Sequence, residues 1–194
     1  MKIDRGDGTP EIKVWVDDLD GLLGLVSIDV IELHPWGATV DDLDHPDLLA
    51  FNLKPGDGTD ASFVVETARR LRELLAAEEQ DCWPKTTGDG SLHVMVPIEP
   101  TMTWDGAREF TKTVAERLAA TAPGRYTLSA RTNRTGKLLI DYLRNGRDGA
   151  VVGPYSPRAL PGFPVAMPLS WDQLDSGTQF EPFTMQSLMS AARP

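Results

Sequence analysis

Residues 48–58 read LLAFNLKPGDG, and this stretch decides how the chain is expected to fold. Apolar side chains at positions 49, 51 and 53 alternate with less apolar ones until Pro55 and Gly56 interrupt the pattern. This alternation is typical of a β-strand with one buried face that runs into a turn. Asn52 and Lys54 lie two residues apart and therefore project from the other face. Two carboxylates there would indicate a metal site, whereas an amide and an ammonium do not.

The segments that follow this strand alternate between helix and strand patterns. DASFVVETARRLRELLAAEEQ, with Asp60 as a possible cap, predicts a helix near 61–78, and TWDGAREFTKTVAERLAA predicts another near 104–120. DCWPKTT and SLHVMVPI read as a hairpin around Gly88-Asp89-Gly90, and RYTLSA and KLLIDYL as two further strands. The order is the βαββαβ pattern of ferredoxin-like, RRM-like folds with one extra strand. We therefore expect an α+β fold with an antiparallel sheet, helices on one face, and the opposite face free for a ligand.

The flanking regions carry weaker patterns. Asp17 or Asp18 could cap a helix that begins with Leu19, VIELH (30–34) reads as a short strand, and a last helical turn is expected at 171–174. No repeat or second domain is evident, so we expect one domain over 1–194. It would comprise a tail (1–13), a main region (14–176) and a C-terminal extension (177–194).

Composition excludes several classes of protein. The net charge of −10 and the pI of about 4.7 argue against binding DNA through bulk positive charge. The lone Cys82 excludes a disulfide framework, and the charged start of the chain is no signal peptide. No run of about 18 apolar residues exists, so we expect no membrane association and a cytoplasmic location.

The charge is nevertheless unevenly distributed. Residues 1–60 hold 14 acidic and 4 basic residues, whereas residues 131–158 hold 6 basic residues against Asp141 and Asp148. A local excess of positive charge within an acidic protein indicates either a focused anion site or a solvated basic loop.

Several single polar residues could carry chemistry. Asp141 lies among apolar neighbours on a strand and needs a partner if it is buried. His93 follows the turn KTTGDG, in which Lys85, hydroxyl groups and glycine N–H groups could bind phosphate. The turn lacks the spacing of a Walker A loop, and no helix follows it. By spacing alone, His34 and Arg158 are more often structural than functional.

Five blocks of the sequence resemble, in order, the polymerase domain of bacterial ligase D, a member of the archaeo-eukaryotic primase superfamily that acts in non-homologous end joining. They are IELHPWG, DHPDLLAFNLKPGDG, PKTTGDGSLHVMVPI, LLIDYLRNGR and PYSPRALPGFPVAMPLSWDQL, and the resemblance runs from about residue 14 to about residue 176. It implies the same RRM-like fold.

The resemblance also implies roles for individual residues. Asp141 matches one of three metal-binding aspartates, and Asn52 and Lys54 stand where the family has the other two. Thr87, His93 and Arg158 match residues that hold the incoming triphosphate. His34 matches a histidine near the nucleotide sugar, Lys137 a basic residue before the last strand, and Lys85 belongs to the same nucleotide-binding region. The family domain also has a substantial N-terminal portion that helps to bind the 5′-phosphate of DNA, which this chain is expected to lack.

Three functions remain open at this point. The leading one is a catalytically degenerate module that binds a nucleoside triphosphate or a DNA end, with no metal cofactor and with a ligase or Ku-like end-joining protein as a possible partner. The alternative is an active primase-polymerase using Mg²⁺ or Mn²⁺, in which Asp57, Asp60 or Glu32, or a partner chain, supplies the missing groups. The third is a structural remnant without a ligand.

The most specific prediction from the sequence concerns the ion pair of Lys54. If it replaces the lost metal charge, its ammonium should lie within salt-bridge reach of Asp141, or of another carboxylate in the cleft such as Glu32.

Overall fold

The protein is represented by a computed structural model that describes residues 2–4, 9–176 and 183–191, with side chains from residue 9 onward. Parts of the expected N-terminal tail (1 and 5–8) and C-terminal extension (177–182 and 192–194) lie outside the described residues. The backbone contacts divide into two compact units, Met1–Ile31 and Glu32–Pro194. That the whole chain forms one domain stays a prediction.

The first unit contains two short strands and a helix. Strand β1 (Lys2–Asp4) pairs antiparallel with β2 (Pro10–Ile12), within the segment expected to be a tail. Helix α1 (Leu19–Ser27) begins after Asp18, whose carboxylate accepts a hydrogen bond from the Gly21 N–H at 2.7 Å. The predicted helix is therefore confirmed, and Asp18 rather than its neighbour is the cap, because its extended backbone aims the side chain at the first turn.

The second unit is built around a five-stranded sheet in the order β4-β5-β3-β7-β6. The elements are β3 (Leu48–Pro55), α2 (Ala61–Ala76), β4 (Trp83–Thr86), β5 (Leu92–Pro97), α3 (Trp104–Ala120), β6 (Tyr126–Thr127), β7 (Leu138–Asp141), α4 (Trp171–Asp175) and α5 (Met185–Ala191). The βαββαβ order, the hairpin at Gly88-Asp89-Gly90 and the short helix after residue 170 are confirmed.

The alternation of apolar and polar side chains along β3 shows which face of the strand lies in the hydrophobic core. Leu49, Phe51 and Leu53 are fully buried and belong to one apolar cluster with the inward faces of α2 and α3. Burying a large apolar side chain contributes about 1.5–3 kcal/mol, so this strand alone strongly favours one face toward the helices. The opposite face, which carries Asn52 and Lys54, is consequently the face away from the helices.

Four details differ from the sequence-based expectations. Residues 30–34 form no strand, because Leu33 makes only isolated bonds: its N–H donates to the Ser156 hydroxyl and its carbonyl accepts from Gly153. Strand β6 has two residues and runs parallel to β7, so the sheet is not wholly antiparallel. Asp60 precedes α2, but its side chain makes no capping hydrogen bond. Helix α5 lies in the C-terminal extension, where no helix was expected.

Candidate functional site

Four polar side chains form a row across the sheet face that points away from α2 and α3, which we call the open face although the loop 149–154 covers its β4 end. Asp141 on β7 is opposite Asn52 on β3, Asn52 is opposite His93 on β5, and His93 is opposite Lys85 on β4. Neighbouring strands lie about 4.8 Å apart, so His93 and Asp141 are about 10 Å apart at the backbone. The strand register therefore brings together residues that lie far apart in the sequence, as the expected cleft requires.

Lys54 lies on the same face as this row, but not beside Asp141. Its ammonium is 3.9 Å from the Asp89 carboxylate, whereas Asp141 faces Arg144 at 3.9 Å and accepts the Leu143 N–H at 3.0 Å. The expected Lys54–Asp141 pair is wrong because Lys54 is opposite Leu139 in the register, one diagonal step from Asp141. Lys54 does pair with a carboxylate at the cleft, but the partner is neither of the two that were named.

Lys85 and His93 are buried in the part of the row farthest from Asp141. The Lys85 ammonium donates a hydrogen bond to the carbonyl of Val152, and only 1% of the residue is exposed. Burial, assisted by the charge of Arg158, lowers the pKa of Lys85 to about 8. Burial and the neighbouring Lys85 lower the pKa of His93 to about 3, so His93 is neutral near pH 7.

Two polar atoms in the middle of the row have no partner among the described residues. They are Oδ1 of Asn52 and Nδ1 of His93, both buried and on opposed positions of adjacent strands. Buried polar atoms are normally hydrogen-bonded, so unpaired atoms at one place call for a water or a ligand.

A small cavity lies beside Lys85 and between the sheet and the loop 149–154. It has a volume of about 30 Å³ and is lined by Ala50, Met95, Trp104 and Val152, among others. This volume suits about one water molecule. The cavity lies on the same sheet face as the row, at the end that the loop 149–154 covers, so a nucleotide would have to bind at the more exposed end near Lys54.

Glu32 connects three other predicted site residues. One oxygen of its carboxylate accepts from Arg158 Nε at 3.1 Å and lies 2.7 Å from His34 Nε2, and the other accepts the Ala159 N–H at 2.7 Å. Arg158 also donates to the backbone carbonyl of Thr87. The hydrogen bond with His34 lowers the pKa of Glu32, against partial burial and with help from Ala159 and Arg158. This carboxylate is committed to holding Arg158 and His34.

The turn between β4 and β5 is held together by Asp89. Its carboxylate accepts hydrogen bonds from the Thr87 hydroxyl at 2.5 Å and from the Ser91 N–H at 3.1 Å, and it also pairs with Lys54. Burial would raise the pKa of Asp89, but these hydrogen bonds outweigh it and lower the pKa. Sequence analysis treated Asp89 only as a turn residue, although a carboxylate between two glycines, four residues after Lys85, was a usable signal.

Lys137 is not part of the row. It precedes β7 and lies four residues from Asp141, which corresponds to about 13 Å along a strand. Its backbone carbonyl accepts the Gly56 N–H at 2.9 Å. Sequence reasoning also missed Asn145, whose buried amide accepts the Ala50 N–H at 2.7 Å and donates to the Ala50 carbonyl at 2.8 Å.

The residues present do not fit a divalent metal ion. Asp141 is the one carboxylate in the row, and the described residues contain no group of three or more His, Cys, Asp or Glu side chains that could hold a metal. Mg²⁺ prefers anionic oxygen ligands, and Lys54 adds a positive charge to this face. Two unit positive charges about 4 Å apart repel by about 4 kcal/mol at an effective dielectric of 20, and a divalent ion doubles this.

The described residues include no helix long and apolar enough to cross a lipid bilayer.

Fold and site together define an α+β domain of the primase-polymerase class, with polar groups gathered on the open sheet face. The sequence profile of the family described as "LigD, primase-polymerase domain" matches residues 2–193. The chain belongs to this family.

Characterised relatives agree with this assignment. The multifunctional non-homologous end joining protein LigD of Pseudomonas aeruginosa is 32% identical over 170 residues, which cover 87% of this chain and 20% of that protein. The bifunctional non-homologous end joining protein LigD of Bacillus subtilis is 28% identical over 185 residues, which cover 94% of this chain and 30% of that protein. The chain thus spans less than a third of the length of these relatives.

A solved structure shows the same fold. The polymerase domain from Mycobacterium tuberculosis ligase D in complex with DNA superposes with a TM-score of 0.82 at 27% identity. The superposition covers 91% of this chain and 64% of that one.

Proposed function

We propose that this chain is a catalytically degenerate LigD polymerase-type module that binds a nucleoside triphosphate or a DNA end in non-homologous end joining. Its partners would be a ligase or a Ku-like end-joining protein, in the cytoplasm. The observation that carries the proposal is the row of polar groups on the open sheet face, with one carboxylate where metal-dependent phosphoryl transfer needs several.

The groups that would contact phosphate favour binding. Arg158 is fixed by Glu32 and by the Thr87 carbonyl, so its guanidinium is held in place before a ligand arrives. A fixed guanidinium loses little conformational entropy when it binds a phosphate, and such charge-assisted hydrogen bonds are the strong ones. Lys54 and the Gly88-Asp89-Gly90 turn lie on the same face.

The relatives support the biological setting. The curated relatives are named as end-joining proteins, and the structural neighbour is described as a complex with DNA. Binding to a DNA end is therefore the proposed role to test beside nucleotide binding.

Two measurements on the full chain test the proposal. Titration calorimetry with ATP, and fluorescence anisotropy with a 5′-phosphorylated DNA duplex bearing a 3′ overhang, should each be attempted. We expect binding of at least one, weakened about tenfold or more for ATP by Arg158→Met, because a charge-assisted hydrogen bond is lost. Arg69→Met is the matched control, since Arg69 lies on α2 and pairs with Asp175, and it should leave ATP affinity unchanged.

Primer extension separates this proposal from an active polymerase. We expect no extension of a primed DNA end with Mg²⁺ or Mn²⁺ above a reaction without protein. Extension that Asp141→Ala abolishes would overturn the degenerate assignment in favour of a working nucleotidyltransferase. If neither ATP nor the DNA end binds, the proposal is wrong and the third interpretation, a structural remnant without a ligand, is favoured.

A further inference from the structure

We propose that the open sheet face binds the phosphate groups of its ligand without a divalent metal, and that the ammonium of Lys54 supplies positive charge there. The inference rests on the proposed nucleotide-binding function and goes further, since it specifies how the phosphate charge is neutralised.

The first step concerns the carboxylates of the face. A metal held against a phosphate needs protein oxygens that are free to coordinate it. Glu32 is taken by Arg158, His34 and the Ala159 N–H, and Asp89 by Thr87, Ser91 and Lys54. Asp141, which accepts the Leu143 N–H and faces Arg144 at 3.9 Å, is the remaining carboxylate named on this face.

The second step concerns the position of Lys54. It follows Asn52 by two residues on the same strand face, and Asn52 is opposite Asp141. Its side chain is 43% exposed, and its contact with Asp89 is long, at 3.9 Å. An ammonium has three donors, so such a contact orients the group and leaves it able to bind a phosphate oxygen. Lys54 is thus a protein-borne cation on the same sheet face as Asp141, one diagonal step away from it.

The third step concerns the unpaired atoms next to Lys54. Oδ1 of Asn52 and Nδ1 of His93 are buried without a partner among the described residues. A neutral imidazole can carry its proton on Nδ1 and donate it to an anion. The low pKa of His93 keeps the ring neutral near pH 7, so it can contribute a hydrogen bond without adding charge. His93 Nδ1 can therefore donate to a phosphate oxygen, whereas Oδ1 of Asn52 accepts and needs a donor such as a water or a sugar hydroxyl.

The balance of charge is consistent with a phosphate ligand. Lys54, Lys85, Arg144 and Arg158 carry positive charge on or beside this face, and Glu32, Asp89 and Asp141 carry negative charge. The face is therefore positive by one charge while the whole chain carries −10. Local positive charge in an acidic protein concentrates an anion at one place.

The test is calorimetric titration of the full chain with ATP, once in excess EDTA and once in excess Mg²⁺. We expect the dissociation constants to agree within about threefold, and Lys54→Met to weaken binding in EDTA about tenfold because one charge-assisted contact is lost. Lys112→Met is the matched control, since Lys112 lies on α3 and pairs with Glu109, and it should leave the affinity unchanged.

The outcomes separate this inference from the proposed function. Binding that is at least tenfold tighter with Mg²⁺ than in EDTA, or that Lys54→Met does not change, overturns metal-free binding and leaves nucleotide binding standing. No ATP binding in either buffer overturns both.

A second variant provides a gain of function. Asn52→Asp combined with Lys54→Asp places two further carboxylates on the face of Asp141, so we expect Mn²⁺ binding by electron paramagnetic resonance where the unmodified chain shows none. ATP binding by this variant should then require the metal. Mn²⁺ binding by the unmodified chain at the same concentration would contradict the inference, as would failure of the folded double variant to bind Mn²⁺.

Discussion

Lys54 on β3 is paired with Asp89 in the β4–β5 turn, and not with Asp141 on the neighbouring strand β7. The strand register explains the choice: Asn52 occupies the position opposite Asp141, and Lys54 is opposite an apolar residue, Leu139. Asp89 thereby links the turn that carries Thr87 to the strand that carries Lys54. A change in the charge of Asp89 is therefore expected to affect both the Lys54 ammonium and the turn.

The first prediction concerns this pair. Asp89→Asn retains an oxygen that can accept from Thr87 and the Ser91 N–H but removes the negative charge beside Lys54. We expect ATP affinity to rise about twofold to fivefold, because one unit of repulsion with the phosphates is lost at partly solvated range. Titration calorimetry at low and high salt measures this, and the gain should shrink at high salt. Weaker binding by the folded variant would show that the charge of Asp89 is needed to orient the lysine.

The second prediction concerns pH. The pKa of His93 is about 3 in the folded protein, against about 6.5 in an unfolded chain. Between these values the unfolded state binds more protons, so His93 lowers stability progressively as the pH falls below about 6.5. Melting temperatures between pH 7.5 and 4.5 should fall less steeply for His93→Leu than for the unmodified chain.

His45→Leu is the control for this experiment. His45 lies in a loop beside Asp42, away from the sheet row, and its replacement should not make the slope shallower. Equal slopes for the unmodified chain and His93→Leu would mean that His93 takes up its proton in the folded state.

The third prediction concerns Asn145 and Ala50. The side-chain amide of Asn145 exchanges two hydrogen bonds with the backbone of Ala50 and also donates to the Tyr142 carbonyl, so it continues the β3–β7 ladder where β7 has ended. Asn145→Ala leaves the buried N–H and C=O of Ala50 without these partners. We expect a loss of about 2–4 kcal/mol in the free energy of unfolding, measured with urea.

Asn133→Ala is the matched change on the surface. The Asn133 side chain only accepts from Thr135 in an exposed turn, so the cost should be below about 1 kcal/mol. Similar losses for the two variants would contradict a special role for Asn145.

The fourth prediction concerns Gly56, which follows β3 directly. A Cβ atom at this position would lie 1.9 Å from the Arg134 carbonyl oxygen and 2.7 Å from the Lys137 carbonyl oxygen. Both obstacles are backbone atoms of the segment that leads into β7. Gly56→Ala would push this segment away and should lower the free energy of unfolding by about 2 kcal/mol or more. Chemical denaturation measures the change.

Gly106→Ala serves as the comparison, since its nearest neighbours would be side-chain atoms at 3.6 Å, an ordinary contact. Alanine favours a helix over glycine, so this variant of α3 should be as stable as the unmodified chain or slightly more stable. Destabilisation of the same size at both glycines would remove the argument from close backbone approach.

The sequence by itself determined the main elements and which side of the sheet is open. Period-two alternation at 48–54 and helical periodicity near 61–78 and 104–120 depend on local geometry and burial, which the order of residues records directly. Five motif blocks in a fixed order were enough to indicate the LigD primase-polymerase family. Local pattern was insufficient at 30–34, where VIELH resembled a short strand but makes only isolated hydrogen bonds.

The tertiary structure alone decided which side chains meet. The row Asp141, Asn52, His93, Lys85 depends on the register of three strand pairs, and a slip of one residue would turn Asn52 into the core. The choice of Asp89 for Lys54, the commitment of Glu32 to Arg158 and the use of Asn145 as a substitute strand partner follow from contacts between distant segments. Pairing energies of charged groups depend on the distance and burial that packing sets, and no spacing in the sequence encodes these.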